Sequence, residues 1–429
     1  MSETWEYVTL DEISEDITVG HVGPMADQYL DVGVPFLRSL NVEPFCISTT
    51  DLKYISREFH QRLKKSALKP GDILIVRTGK PGSCAVIPNW LLEANCSDVV
   101  VVKHGPKVRP GYICYVVNST AAHHIDAHTV GAVQQHFNVA SARQIRLRLP
   151  PIAEQDRILS ILGALDDKIY LNRCMNETLE AMARALFKDW FVDFGPTRAK
   201  MEGRAPYLAP EVWSLFPDKL DGKEKPEGWI EYCIDDLAEL NPSERLAQGT
   251  LAPYIDMAAL PIRGPWPDAP IRREFGSGAR FRNGDTLFAR ITPCLENGKT
   301  AYVACLGADE IAWGSTEFIV IRPRPPVPPE LGYLLARDEN FRAHAIRSMT
   351  GTSGRQRVQL EVLRSFSLVS STNDLFVTFG ALVSATFNKI AANSKENETL
   401  SATRDLLLPK LMSGEIRVKH AAKIVEAAL

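Results

Sequence analysis

The stretch from Ala153 to Phe194 constrains this chain more than any other. Ile158, Leu162, Leu165, Ile169, Asn172, Asn176, Leu179, Ala183, Leu186 and Trp190 recur at alternating steps of four and three, and Gly163 is the one glycine or proline inside the run. Such heptad spacing asks for a partner helix. At ~1.5 Å per residue the helix would be roughly 55–60 Å long, too long to bury itself in one small domain.

The partner lies in the same chain. A displacement of 221 residues carries Lys168-Ile169 onto Lys389-Ile390, Asn172 onto Asn393, and Asn176-Glu177-Thr178-Leu179 onto Asn397-Glu398-Thr399-Leu400. The duplication extends outward. Gly71-Asp72-Ile73-Leu74-Ile75-Val76-Arg77-Thr78 matches Gly284-Asp285-Thr286-Leu287-Phe288-Ala289-Arg290-Ile291, and Gln135, Arg143 and Leu147 match Gln356, Arg364 and Leu368. A repeat this long means two copies of a large unit, not a solenoid.

Two antiparallel helices are expected to pair along a seam. It joins Leu162, Leu165, Ile169, Asn172, Asn176, Leu179 and Leu186 to Ile390, Asn393, Asn397, Leu400 and Leu407. Asparagine at core heptad positions fixes register at some cost in stability; the alternative is that these asparagines lie on a solvated face. The second helix carries polar residues such as Thr386 and Arg404, read as interruptions.

Ahead of each helix lies a strand-rich half. Val34–Leu40, Asp72–Arg77, Ala85–Ile87, Val99–Val102, Tyr112–Val117 and Ile145–Leu149 are short apolar runs bounded by Gly, Pro and Asn, as strands are. Arg57–Lys69 carries five basic residues against one acid, with Phe59, Leu63 and Leu68 at helical spacing. Pro150-Pro151 sets up the long helix, and Gly195–Gly228, with five prolines, reads as a structured linker.

Hydrophobic content of 45% and charged content of 24% are those of a globular protein, and 429 residues suffice for two or three domains. No apolar run approaches 18 residues and the N-terminus has no apolar signal core, so a cytoplasmic protein without a membrane partner is expected. Eight irregularly spaced cysteines without a Cys-x-x-Cys read as reduced, mostly buried thiols. The net charge of −3 does not by itself point to nucleic acid, so charge has to be read locally.

Catalytic constellations are missing. Pro217-Asp218 with Asp221-Gly222-Lys223 imitates a nuclease signature, but its acids are too close together in a proline-rich linker. His123, His124, Asp126 and His128 lack further ligands at metal spacing. There is no phosphate loop, no Gly-x-Gly-x-x-Gly and no Gly-x-Ser-x-Gly, and Asn241-Pro242-Ser243-Glu244 is not an amino-methyltransferase loop. The sequence reads as a non-enzyme that binds no metal or cofactor.

What remains are polar, basic loops. The first half offers Lys64, Lys65, Arg77, Thr78, Lys80, Gln134, Gln135 and His136. The second offers Arg290, Thr292, Thr352, Ser353, Arg355, Gln356 and Arg357, besides Arg263, Arg272-Arg273 and Arg280-Phe281-Arg282. Arg grips guanine and Gln grips adenine bidentately, while Lys, Ser and Thr hold phosphates. Two similar frames with dissimilar loops suit an object that reads two different things.

Leu149-Pro150-Pro151-Ile152-Ala153-Glu154-Gln155, Phe187-Lys188-Asp189-Trp190-Phe191-Val192-Asp193-Phe194, the Gly195–Trp229 linker and Leu406–Ile416 resemble the specificity subunit of type I restriction–modification enzymes. The resemblance implies an α+β fold: two similar mixed α/β target-recognition domains joined by two long helices in an antiparallel coiled coil with pseudo-two-fold symmetry. On it, residues 1–151 and 229–372 are recognition domains, 152–194 and 373–416 spacer helices, 195–228 a linker and 417–429 a tail. It implies double-stranded DNA, two modification subunits and restriction subunits as partners, with S-adenosylmethionine, ATP and Mg2+ used in those partners. The second unit departs from the pattern, having Ser370-Ser371-Thr372-Asn373-Asp374 where the first has Pro-Pro-x-x-Glu-Gln. Trp190 and Phe191 are expected in the coiled coil or a partner interface. The rival reading is a non-catalytic protein-binding scaffold whose duplicated domains have no DNA target.

Overall fold

A computed structural model describes residues 5–119, 125, 137–351, 355–371, 373–416 and 418–426. The chain divides into two compact units, Met1–Tyr170 with Glu396–Leu429 and Leu171–Lys395.

The first unit holds one domain built on three main sheets, besides a two-stranded hairpin of Val42–Glu43 with Cys46–Ile47. Ser14–Val19, Val99–His104, Ile73–Val76 and Cys84–Val86 lie side by side in that order, all antiparallel. Val99–Val102 and Ile73–Val76 are apolar without alternation because both faces of this sheet are covered. In the second sheet, Lys53–Ile55, Val34–Leu37, Ala94–Cys96 and Ala67–Leu68 stand in order, Val34–Leu37 running parallel to Ala94–Cys96. The third pairs Glu6–Thr9 with Arg146–Leu149, Glu6 opposite Leu149, bringing the domain's end back to its start.

The second unit repeats these three main sheets in the same strand order, without a described counterpart of the hairpin. Ala238–Leu240, Phe318–Pro323, Thr286–Ala289 and Thr300–Tyr302 form its first sheet. Ile271–Glu274, Leu251–Ile255, Ala312–Gly314 and Ala279–Phe281 form the second, again with one parallel pair in the middle. Ile230–Cys233 pairs with Ser367–Ser370. The duplication read from a few matched residues therefore covers the domain's three main sheets.

The long helices are Ile152–Phe191 and Asn373–Met412. In the first unit Leu162, Leu165, Ile169, Leu400 and Leu407 are buried in one core, and Arg404 pairs with Asp166 at 2.8 Å. In the second unit Asn172, Ile390 and Asn393 are buried, Asn176, Leu179 and Leu186 half-buried, and Phe187, Trp190 and Phe191 meet Phe376 and Phe379. Asn397 is half-buried in the first. As residue numbers rise on one helix, those of its partners fall on the other, so each unit holds an antiparallel helix pair.

How the first long helix starts explains the Pro-Pro-x-x-Glu-Gln motif. Gln155 is fully buried; its Oε1 accepts from Arg109 N at 2.8 Å, and its Nε2 donates to Pro150 O at 2.8 Å and Lys107 O at 3.1 Å. One side chain stitches the helix to the end of the domain and to the loop before Pro110. In the second unit Phe376 stands at the corresponding place and stacks on Phe191, ring centroids 5.8 Å apart. An aromatic contact replaces the polar one.

Several expectations need correction. Tyr112–Val117 is helix, within Pro110–Asn118, not strand. Pro110 favours the first helical turn, and burial on all sides removed the polar positions that would have shown a helical period. Arg57–Lys69 is not one helix: it stops at Arg62, turns through Lys64–Ser66, and Ala67–Leu68 joins Ala94–Cys96 as a strand. Asn373–Met412 is continuous, because Thr386 bonds back to Leu382 O and Arg404 is held by Asp166. It ends at Met412, and Gly414, at a φ of +73°, closes the turn that follows by donating to Leu411 O. The first long helix ends at Phe191 and not Phe194, which takes a φ of +54° and starts the short helix Gly195–Met201. Residues 418–426, read as tail, form a helix whose Ala421 and Val425 enter the first unit's core. Of the two alternatives given for Trp190 and Phe191, the coiled coil is the one seen: they meet Phe376 and Phe379 of the second long helix and, with Phe216, form the second unit's aromatic core. The cysteines are free, but Cys84, Cys96 and Cys114 alone are buried; four are half-buried and Cys305 is exposed.

By length and composition Asn373–Met412 is apolar enough to cross a membrane. Its apolar face is occupied by the packing just described.

Candidate nucleic-acid interface

In both domains an arginine leaves the central sheet at the same place. Arg77 follows Ile73–Val76 and Arg290 follows Thr286–Ala289. The carbonyl of Arg77 accepts from Phe137 N at 3.0 Å, and its Nε donates to Phe137 O at 3.2 Å. The carbonyl of Arg290 accepts from Val358 N at 2.9 Å, and its Nη2 donates to Val358 O at 3.4 Å. Phe137 and Val358 are themselves equivalent, so one clamp is built twice.

The acid beside each arginine is also equivalent, but it is used differently. In the first domain Asp98, held at a φ of +52°, accepts from Arg77 Nη1 at 2.8 Å and from Thr78 Oγ1 at 3.0 Å. Arg77 is thereby committed within the fold. Thr78 and Asp98 border a cleft of about 660 Å³ that also presents Arg38, Gly79, Lys80 and Ser97. Arg38 reaches Asp51 at 2.8 Å; the hydrogen bonds from Arg38 and then Lys53 hold the Asp51 carboxyl down to about 2. Lys80 stands exposed beyond Gly79, and Lys64 and Lys65 stand exposed on their turn; among the described residues none is in an ion pair. Gln134, Gln135 and His136 lie outside the described residues, as do His123, His124, Asp126 and His128.

In the second domain Glu317 stands where Asp98 does, yet Arg357 holds it. Arg357 Nε lies 3.0 and 2.9 Å from the two carboxylate oxygens and Nη2 2.6 Å from Oε1. This hydrogen bonding keeps the Glu317 carboxyl below its ordinary range. Arg290 keeps the 3.4 Å contact to Val358, while its Nε is buried with no hydrogen-bond partner among the described residues. It lines a cleft of about 300 Å³ with Asn241, Arg280 and Thr316. Thr292 accepts from Gln356 N at 3.0 Å through Oγ1 and donates its own N–H to Gln356 O at 3.1 Å, so this pair shapes the loop. Arg355 is exposed; Thr352 and Ser353 lie outside the described residues.

Sequence reasoning missed the aromatic partners of the second domain's arginines. Arg273, on the exposed edge strand Ile271–Glu274, lies over the rings of Tyr254 at 5.1 Å and Trp313 at 5.8 Å. Arg280 lies over Phe275 at 5.8 Å. The arginines were legible as a basic run, but their stacking depends on Trp313 arriving from a strand far along the chain. Arg272 is tied to Glu310 at 2.6 Å and Arg282 approaches Glu244 at 3.8 Å, which removes two cations from the list of available ones.

Residues 2–181 match the family of the type I restriction modification DNA specificity domain. The type I restriction enzyme HindI specificity subunit of Haemophilus influenzae is 24% identical over 82% of this chain and 88% of its own length. The MjaIX specificity subunit of Methanocaldococcus jannaschii is 21% identical over 88% of this chain and 87% of its own. The crystal structure of a type I restriction–modification S subunit from M. genitalium shares the fold at a TM-score of 0.52 and 13% identity, over 96% of this chain and 97% of that one. The duplicated domain, the paired long helices and these matches together make the chain similar, over most of its length, to type I restriction–modification specificity subunits, with the family's DNA specificity domain matched over residues 2–181.

Proposed function

We propose that this chain is the subunit that reads a bipartite target on double-stranded DNA, each domain taking one half, and that it directs adenine methylation or cleavage carried out by partner subunits. The observation that carries this reading is the same arginine clamp built twice with different neighbours. A repeated frame gives each domain the same way of approaching a groove, and unlike side chains let the halves differ in sequence. The chain is non-catalytic in this scheme. Two modification subunits supply methyl transfer from S-adenosylmethionine, and restriction subunits add ATP- and Mg2+-dependent cleavage, all in the cytoplasm. Lys64, Lys65 and Lys80 hold phosphates, so binding weakens steeply with salt.

The test is the adenine methylation pattern in cells carrying this chain with its modification subunit. A split methylated motif, one half of which changes when residues 1–151 are exchanged for another member's domain, supports the reading. A folded complex that methylates no motif and binds DNA equally at low and moderate salt overturns it.

A further inference from the structure

The two arginine clamps are not equivalent in what they leave over. Asp98 satisfies Arg77 and Thr78 together, so the first domain's arginine is a structural member with its charge matched. Glu317 occupies the same position on the second domain's sheet, the Arg290 backbone N–H donates to its carbonyl at 3.0 Å, and the Arg290 charge is near enough to help hold the Glu317 carboxyl down. Arg357, from the loop that crosses opposite Ile291, takes that carboxylate with both an Nε and an Nη donor. The result is a guanidinium not bonded to an acid, its Nη2 on Val358 O and its Nε buried without a hydrogen-bond partner among the described residues, lining a cleft that also holds Arg280 and Asn241.

We infer that Arg290 is the residue with which the second domain grips a guanine edge, and that the Glu317–Arg357 ion pair is the device that frees it. This rests on the DNA-reading function proposed above. A planar guanidinium with spare donors matches the paired acceptors that guanine shows in the major groove. A carboxylate bonded to it would cancel that capacity, as Asp98 does for Arg77. Arg357 is thus a positioning residue: it touches the acid, and the acid decides whether Arg290 is available. The first domain, by the same logic, does not read its half through Arg77.

The experiment uses the assembled methyltransferase and maps methylated sites for a series of variants. Arg290→Lys and Arg290→Ala are expected to relax one base position in one half of the motif, losing on the order of 10- to 100-fold discrimination there. The other half stays intact, which also shows that the complex is folded. Arg357→Ala is expected to give the same relaxation with Arg290 still present, because Glu317 turns to it. Glu317→Gln added to Arg357→Ala restores the lost discrimination, an outcome that a merely structural role for Arg357 does not produce. An unchanged motif in both Arg290 variants, or no rescue by Glu317→Gln, overturns the inference while DNA reading stands. If the wild-type complex methylates no motif, DNA reading itself falls and this inference with it.

Discussion

Asn393 donates from its side-chain amide to the side-chain carbonyl of Asn176 across the helix pair of the second unit, at 2.8 Å. Asn176 in turn donates to Ser394 Oγ at 3.3 Å. The sequence left open whether these asparagines were seam or surface; Asn393 is 1% exposed, and in a seam a pair like this sets which turns face each other. Replacing Asn393 alone by Leu strands the carbonyl of Asn176 and is expected to cost about 1–3 kcal/mol. Replacing both by Leu is expected to recover most of that loss while loosening register. Denaturant unfolding of the single and double variants in a mutant cycle checks it, and an additive result counts against a direct bond.

Trp190 is fully buried against Phe216, Phe379 and Phe191, with ring centroids 5.1, 5.5 and 6.5 Å away. Trp190→Ala opens a large cavity in the second unit and is expected to cost about 3–5 kcal/mol. Trp190→Phe is expected to cost much less. The measurement is the unfolding midpoint of the full chain; a large loss of partner binding with no loss of stability contradicts this placement.

Gln155→Leu leaves Pro150 O, Lys107 O and Arg109 N without their shared partner. Each buried group left unpaired costs about 1–3 kcal/mol, so destabilisation of at least about 2 kcal/mol is expected. Hydrogen exchange localises it: the amides around Arg109 and at the start of the Ile152–Phe191 helix lose protection first, and those around Phe376 do not.

Two aspartates of the first unit respond to acid in opposite senses. Burial pushes the Asp72 carboxyl above its ordinary 3.8, only partly offset by the hydrogen bond from Lys69 N. The folded chain therefore binds a proton more tightly there, and the stability owed to this group is complete below 3.8 and lost as pH rises through the raised value. Asp51, brought down to about 2 by Arg38 and Lys53, contributes stability above 3.8 that is lost as pH falls towards 2. Asp72→Asn is expected to flatten the limb of the unfolding profile that falls as pH rises from 3.8, and Asp51→Asn to flatten the limb between about 2 and 3.8. Unfolding midpoints across that range, with equal slopes in wild type and variants, would sink both assignments.

The heptads, the duplication and the strands of the central sheets were legible because periodicity and repetition are local. Tyr112–Val117 was misread because a helix buried on every side has no polar stripe to reveal its period. Arg57–Lys69 was over-extended because its last residues obey a strand partner, Ala94–Cys96, that lies outside any local window. The basic loops were found by composition. Composition did not show that Arg77 pairs with Asp98 while Arg357, not Arg290, takes Glu317, since each pair joins residues 20 or more positions apart. Those choices are made by tertiary contact.

The first unit's core is assembled from two distant parts of the chain. Leu400, Leu407, Leu411, Ala421 and Val425 pack with Leu10, Ile13, Ile158 and Leu162. During synthesis the early residues therefore emerge long before their partners, and all of Leu171–Lys395 must follow first. At ribosomal speed that interval lasts roughly 10–45 s. The second unit, whose parts are contiguous, can be complete on the ribosome while Ile158–Ile169 still shows water an apolar stripe. A nascent chain of this design needs protection of that stripe, and its yield depends on how fast translation delivers the last stretch.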